Sequence, residues 1–141
     1  MNRLPDWRSR LTAYLAASAG VPFAFGRHDC ALFTADCLLA MTGEDPAAEF
    51  RGRYRTLQGG LKRLRAAGFA DHLALATARL AEVHPAFAQA GDLAALPGEG
   101  SAALGVVQGH RIYVLRDDGS GGGALATVDL LAATRAWRVP S

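Results

Sequence analysis

Lysine is nearly missing from this chain. Fourteen of its fifteen basic residues are arginine, and Lys62 stands alone. With the many alanines, this reads as the coding bias of a GC-rich genome. Long apolar runs are missing too. No stretch reaches the roughly 18 residues that a membrane span needs. At the start, "MNRLPDWRSRLTAYLAASAG" has its apolar positions broken by Asp6, Arg8 and Arg10, which excludes a secretory signal and leaves a helical period. Strong net charge is absent as well, at +2. The basic cluster Arg51 to Arg65 lacks interleaved aromatics and any nucleic-acid motif, so it reads as a solvated helix face with ion pairs, and no nucleic-acid partner is expected. Cysteine is scarce, with Cys30 and Cys37 only. Seven residues on one helix separate their Cα atoms by about 10 Å, too far for a disulfide. Two cysteines without suitably spaced histidines make a poor zinc site, and no metal or cofactor is expected.

What is present is the composition of a folded domain: 141 residues, half of them hydrophobic and a fifth charged. One domain over residues 1–141 is expected. Leu4-Pro5-Asp6 starts a helix carrying Trp7, Leu11, Tyr14 and Leu15, which Gly20 and Pro22 end. A second helix starts at Asp29 or Cys30, carries Phe33, Cys37, Leu38 and Met41, and stops at Gly43. Pro46 opens a turn. Thr56 caps a third helix closed by Gly68, and a fourth runs from about Asp71 to Val83, before Pro85. Strand texture follows: "GDLAAL", a hairpin in "ALGVVQGHRIYVLRDDG", then "ALATV", a helical turn and a last strand with Trp137. The loop Gly119 to Gly123 lacks the spacing of a phosphate or dinucleotide loop. Helices first and strands later make the fold class α+β with an antiparallel sheet.

Cys30 is the residue with chemical promise. It stands at a helix N-terminus, where free N–H groups and the helix dipole favour thiolate. Nucleophilic chemistry also needs a base held by a third polar group. Four histidines are available. His28 lies two residues before Cys30. His72 is expected to be an exposed helix residue. His84 precedes Pro85 in a linker, and His110 sits at the hairpin turn. Cys37, deeper in the helix, is expected to be core.

The stretch "FGRHDCALFTADCLLAMTGEDPAAEFRGRYRT", followed by "GDLAAL", "ALGVVQG" and the terminal "AWRV", resembles a family of small tail-module proteins of bacteriophages, prophages and gene transfer agents. That family is similar to the NlpC-type, papain-like cysteine peptidases. The resemblance implies a Cys-bearing helix packed on a small antiparallel sheet. It places the nucleophile position at Cys30, the turn before the first sheet strand at Gly91 and Asp92, and the histidine position at Ala103. No histidine stands there, Ser101 is no base, and no acid or amide occupies the third-residue position in "RIYVLRDDG". His110 lies at the far end of that strand, roughly 20 Å away at about 3.3 Å per residue.

The resemblance therefore implies a structural tail-tip or baseplate component, made in a bacterial cytoplasm and carried in a virion or phage-like particle. Its catalytic apparatus is incomplete. Its partners would be other tail proteins, such as hub, distal-tail, tip or fibre proteins. The alternative is an active cysteine amidase or endopeptidase acting on cell-wall peptide, with Cys30 as catalytic nucleophile and His28 as an unusual base. A further alternative is an assembly factor that leaves no copy in the particle.

Overall fold

A computed structural model describes residues 1–98, 101–117 and 124–141. Among the described residues four helices precede a six-stranded sheet: α1 (Trp7–Ser18), α2 (Cys30–Thr42), α3 (Leu57–Ala66) and α4 (His72–Arg79), then β1 (Ala81–Val83), β2 (Leu93–Leu96), β3 (Ala103–Gln108), β4 (Arg111–Arg116), β5 (Ala124–Asp129) and β6 (Arg135–Arg138). The strand order is β1-β6-β2-β3-β4-β5, and every neighbouring pair is antiparallel. The α+β expectation holds. The Gly119–Gly123 loop lies outside the described residues.

Local chemistry sets the helix ends where the sequence placed them. The Asp29 side chain caps α2 by accepting from the Leu32 N–H at 2.9 Å, and Gly43 stops the helix with φ of +79°. Thr56 caps α3 through the Gly59 N–H, and Asp71 caps α4 through the Ala74 N–H. The fourth helix is shorter than its sequence pattern. It ends at Arg79, and residues 81–83 pair instead with Arg138, Trp137 and Ala136 of β6. A three-residue strand carries too little periodicity to declare itself. Long-range pairing decides its state.

α2 is apolar on nearly every side and is sandwiched. Phe33, Cys37 and Met41 pack with Leu11 of α1 and with Leu93, Val106 and Trp137 of the sheet. Leu32 and Ala35 pack on Ala47 and Phe50 of the turn after it. The opposite sheet face buries Ala94, Leu96, Val107, Ile112 and Val114. Two short 3-10 turns, Pro85–Phe87 and Leu130–Ala132, contribute Ala88 and Leu130 near that face.

One carboxylate fastens the chain ends to this sheet. Asp92 is fully buried. Its Oδ1 accepts from an Arg3 guanidinium N–H at 3.0 Å and from the Val139 N–H at 3.0 Å. Its Oδ2 accepts from Arg138 Nε at 2.9 Å and from the Gln89 N–H at 2.9 Å. The preceding Gly91 has φ of +87°, and a Cβ there would press on the Trp7 ring. Removing one member of a buried ion pair strands the other charge, at a cost of about 3–5 kcal/mol. Asp92→Ala is therefore expected to lower the unfolding free energy from urea denaturation by about 3–5 kcal/mol. The same change at Asp6, whose pair with Arg10 is solvent-exposed, should leave the midpoint in place.

Candidate functional site

The stretch around Cys30 is a rigid scaffold built from two distant motifs. Gly26 turns the chain with φ of +83° and packs so tightly on the Tyr54 backbone that a Cβ would collide with the Tyr54 carbonyl. Its N–H donates to Asp29 Oδ2 at 3.0 Å, and the Tyr54 hydroxyl donates to the same oxygen. The Gly52 N–H closes the link by donating to the Gly26 carbonyl at 2.7 Å. The Arg51 guanidinium spans Asp36 at 2.6 Å and Asp45 at 2.8 Å, and Tyr14 donates to Asp36 from the other side. Thus "FGRHDC" and "RGRY" are two halves of one hydrogen-bonded unit. Its product is a fixed first turn of α2.

That turn enters the sheet where β3 and β4 part. Their pairing runs only from Gln108↔Arg111 to Val106↔Tyr113, while β2 pairs β3 as far as Ala103. Beyond the split, the Thr34 hydroxyl donates to the Leu104 carbonyl at 3.0 Å. The Leu104 N–H lies against Cys30 Sγ.

Burial nonetheless dominates the thiol's state. It pushes the Cys30 pKa up to about 11, the charge of Asp29 adds to the rise, and the N–H groups of Leu104 and the helix start only partly offset it. Desolvation outweighs the dipole and the free N–H groups at this helix start. Cys37 is fully buried, burial raises its pKa well above normal, and both thiols are free, as the helix spacing requires.

Cys30 lines a cavity of about 850 Å³. Its floor is α2, the start of β3 and the end of β4. Its roof is α3 and α4, and Phe23, Phe25 and Tyr54 close one side. The histidines distribute around it unexpectedly. His28 is buried beside the Phe33 ring and does not line the cavity. Burial lowers its pKa against the opposing pull of Asp36 and Asp29. His72 was expected at the surface and is instead 9% exposed and a cavity residue. Its imidazole lies near the Ala102 carbonyl, one residue from Ala103, and burial lowers its pKa despite that carbonyl and Asp71. Among the described residues, Nε2 of His28 and of His72 have no hydrogen-bond partner. His110 is exposed at the β3–β4 turn, and exposed His84 accepts from the Ala86 N–H. The Asp71 cap was the available signal for His72: it sets a helix phase in which 72, 73 and 76 are all buried.

The described residues contain no group of three or more His, Cys, Asp or Glu side chains fit to hold a metal ion, and no helix long and apolar enough to cross a membrane.

Residues 2–139 match a family described as a domain of unknown function, DUF6950. The chain belongs to that family. Its sequence matches no curated protein. In three dimensions this DUF6950 chain is similar to the crystal structure of the NlpC/p60 domain of the peptidoglycan hydrolase SagA. The TM-score is 0.58 at 17% identity, covering 92% of this chain and 97% of that one. The fold is thus NlpC-like, with a cysteine-peptidase-like architecture.

Two outcomes follow for the titrating groups. Alkylation of Cys30 by iodoacetamide should be slow at neutral pH and should climb only as pH approaches about 11. Rapid labelling at pH 7, with an inflection near that of a free thiol, would contradict the raised pKa of this half-buried thiol. For His28 and His72 the folded pKa lies below the unfolded value of about 6.5. Their contribution is therefore present above that pH and is lost as pH falls through it toward the folded values. Melting temperature should drop between pH 7.5 and 5, and His72→Leu should flatten the drop.

Proposed function

We propose that this chain is a structural component of a phage or phage-like tail, seated at the tail tip or baseplate, whose NlpC-like fold carries an incomplete catalytic apparatus. The tail assignment rests on the sequence resemblance of the Cys30 and "RGRY" blocks. The incompleteness rests on one observation above others: the position matching the peptidase histidine is Ala103, and the neighbouring thiol is held protonated by burial. A protonated thiol without a base is a poor nucleophile. In this reading the Asp29–Tyr54–Gly26 unit holds α2 in place as part of a rigid body that meets hub, distal-tail, tip or fibre proteins.

A second reading has a specific observation in its favour. His72 shares the cavity with Cys30, so an amidase acting on cell-wall peptide would draw its base from α4 rather than from His28. The thiol proton would pass to the imidazole as sulfur attacked the acyl carbon, and would then pass to the departing amine.

Particles purified from a producing strain should contain this chain, and its deletion should give defective tails. Intact, infectious or transducing particles lacking it would sink the tail reading, and an assembly defect with no copy in the particle would indicate an assembly factor. The purified protein should release no peptide from peptidoglycan. Release that disappears in both Cys30→Ala and His72→Leu would establish the second reading instead.

A further inference from the structure

The basic cluster around α3 is not the ion-paired helix face that its sequence suggests. Residues 51–70 hold six of the chain's fifteen basic residues and none of its thirteen acidic ones, so the remainder, with nine against thirteen, is net acidic. A coding bias toward arginine would scatter the charge along the chain and does not produce this division. Arg51 is neutralised by Asp36 and Asp45. Among the described residues, Arg53, Arg55, Lys62, Arg63 and Arg65 enter no ion pair, and all five are exposed. Arg63 and Arg65 stand in the last turn of α3, where the helix dipole favours a cation. That accounts for two of the five.

The fold concentrates the charge further. The bond from the Gly52 N–H to the Gly26 carbonyl sets exposed Arg27, which follows Gly26, beside Arg53, which follows Gly52. Arg63 Nε donates to the Arg53 carbonyl at 3.0 Å and brings α3 to the same place. Three segments thus deliver arginines to one side of the molecule, on backbone fixed by hydrogen bonds. Leu57, Leu61 and Leu64 turn to the cavity, which leaves the outer face of α3 to the basic side chains. Like charges gathered without a counter-charge raise the local potential and draw an anionic partner. Its kind is narrowed by what surrounds them. The Tyr54 ring is packed on Gly60 with its hydroxyl on Asp29, and Phe69 is half-buried beyond the helix end, so no row of rings is open for bases to stack on. The exposed large apolar side chains among the described residues, Val21, Leu39, Phe87 and Leu131, lie outside the segment, so nothing in it would anchor in a bilayer. A nucleic-acid duplex is charged along its whole length and would also meet the net-acidic remainder. A compact group of carboxylates meets the basic face alone, and guanidinium forks bind carboxylates in pairs of hydrogen bonds.

We infer that the outer face of α3, together with the turns carrying Arg27 and Arg53, is a docking surface for a partner polypeptide that presents clustered carboxylates. This goes beyond the tail assignment and does not depend on it, since the isolated chain suffices for the test.

The probe is a fluorescent hexaglutamate peptide, titrated into the whole protein and followed by anisotropy. The expected result is saturable binding at about 20 mM salt that weakens about tenfold by about 150 mM. Arg53→Glu combined with Arg65→Glu should weaken it about tenfold or more. Arg8→Glu combined with Arg10→Glu, at exposed positions on α1, makes the same change in net charge and should leave binding within about twofold. Arg27→Glu alone should give part of the loss, and it serves if the Arg53/Arg65 variant fails to fold. Absence of saturable binding would overturn the proposal. So would equal losses in the two double variants, which would mean attraction by net charge with no defined surface. Tighter binding of duplex DNA than of hexaglutamate, lost in the Arg53/Arg65 variant, would assign the face to nucleic acid instead. The same result with phosphatidylglycerol vesicles would assign it to a membrane. Particles lacking this chain would refute the tail reading and leave these outcomes untouched.

Discussion

A single buried carboxylate organises the sheet end of this molecule. Asp92 has two oxygens and spends each on two donors, drawn from the N-terminal strap, the segment before β2 and the end of β6. A charge taken out of water is tolerable only when its lone pairs are satisfied and a counter-charge is close. Arg3 and Arg138 supply the charge, and the backbone N–H groups of Gln89 and Val139 supply the rest. Because the donors come from segments far apart in sequence, satisfying Asp92 requires these segments to be assembled together. The Asp92 carbonyl meanwhile accepts from Val107, tying the same residue to β3. The sheet beneath the Cys30 cavity is thereby held at a fixed position relative to both chain ends.

Asp29 plays a comparable part at the other pole, with an opposite effect on chemistry. As the cap of α2 it fixes where Cys30 stands, and it is held in turn by Gly26 and Tyr54. Yet a carboxylate beside a thiol opposes ionisation, and the packing that makes the turn rigid also strips it of water. Rigidity was achieved here by desolvation, and desolvation favours the neutral thiol. The NlpC-like architecture and the state of its cysteine are separate questions, answered by different forces.

What could be read from the sequence was what is local. Caps at Asp29, Thr56 and Asp71, the stop at Gly43 and the hairpin around Gly109 all act within a few residues, and each appears where the pattern put it. β1 was hidden because three residues become a strand only by pairing with β6. The roles of Gly26 and Tyr54 were hidden because 28 residues separate two halves of one contact. His72 misled for a related reason. The expected exposure fails because Asp71 is occupied with its cap while the imidazole lines the cavity. His28, nearest to Cys30 in sequence, lies outside the cavity, which shows how poorly chain proximity reports a shared site.

The strap that reaches Asp92 also brings the two termini together. The Arg3 N–H donates to the Pro140 carbonyl at 2.8 Å, and the Leu4 N–H donates to the Met41 carbonyl at 2.8 Å. Any segment joined ahead of Arg3 and any joined after Pro140 would leave the body at one spot. A load applied between two such tethers would act on that clasp and bypass the cavity and its helical roof. The domain would hang from its neighbours like a bead on a closed loop, free to turn without being stretched.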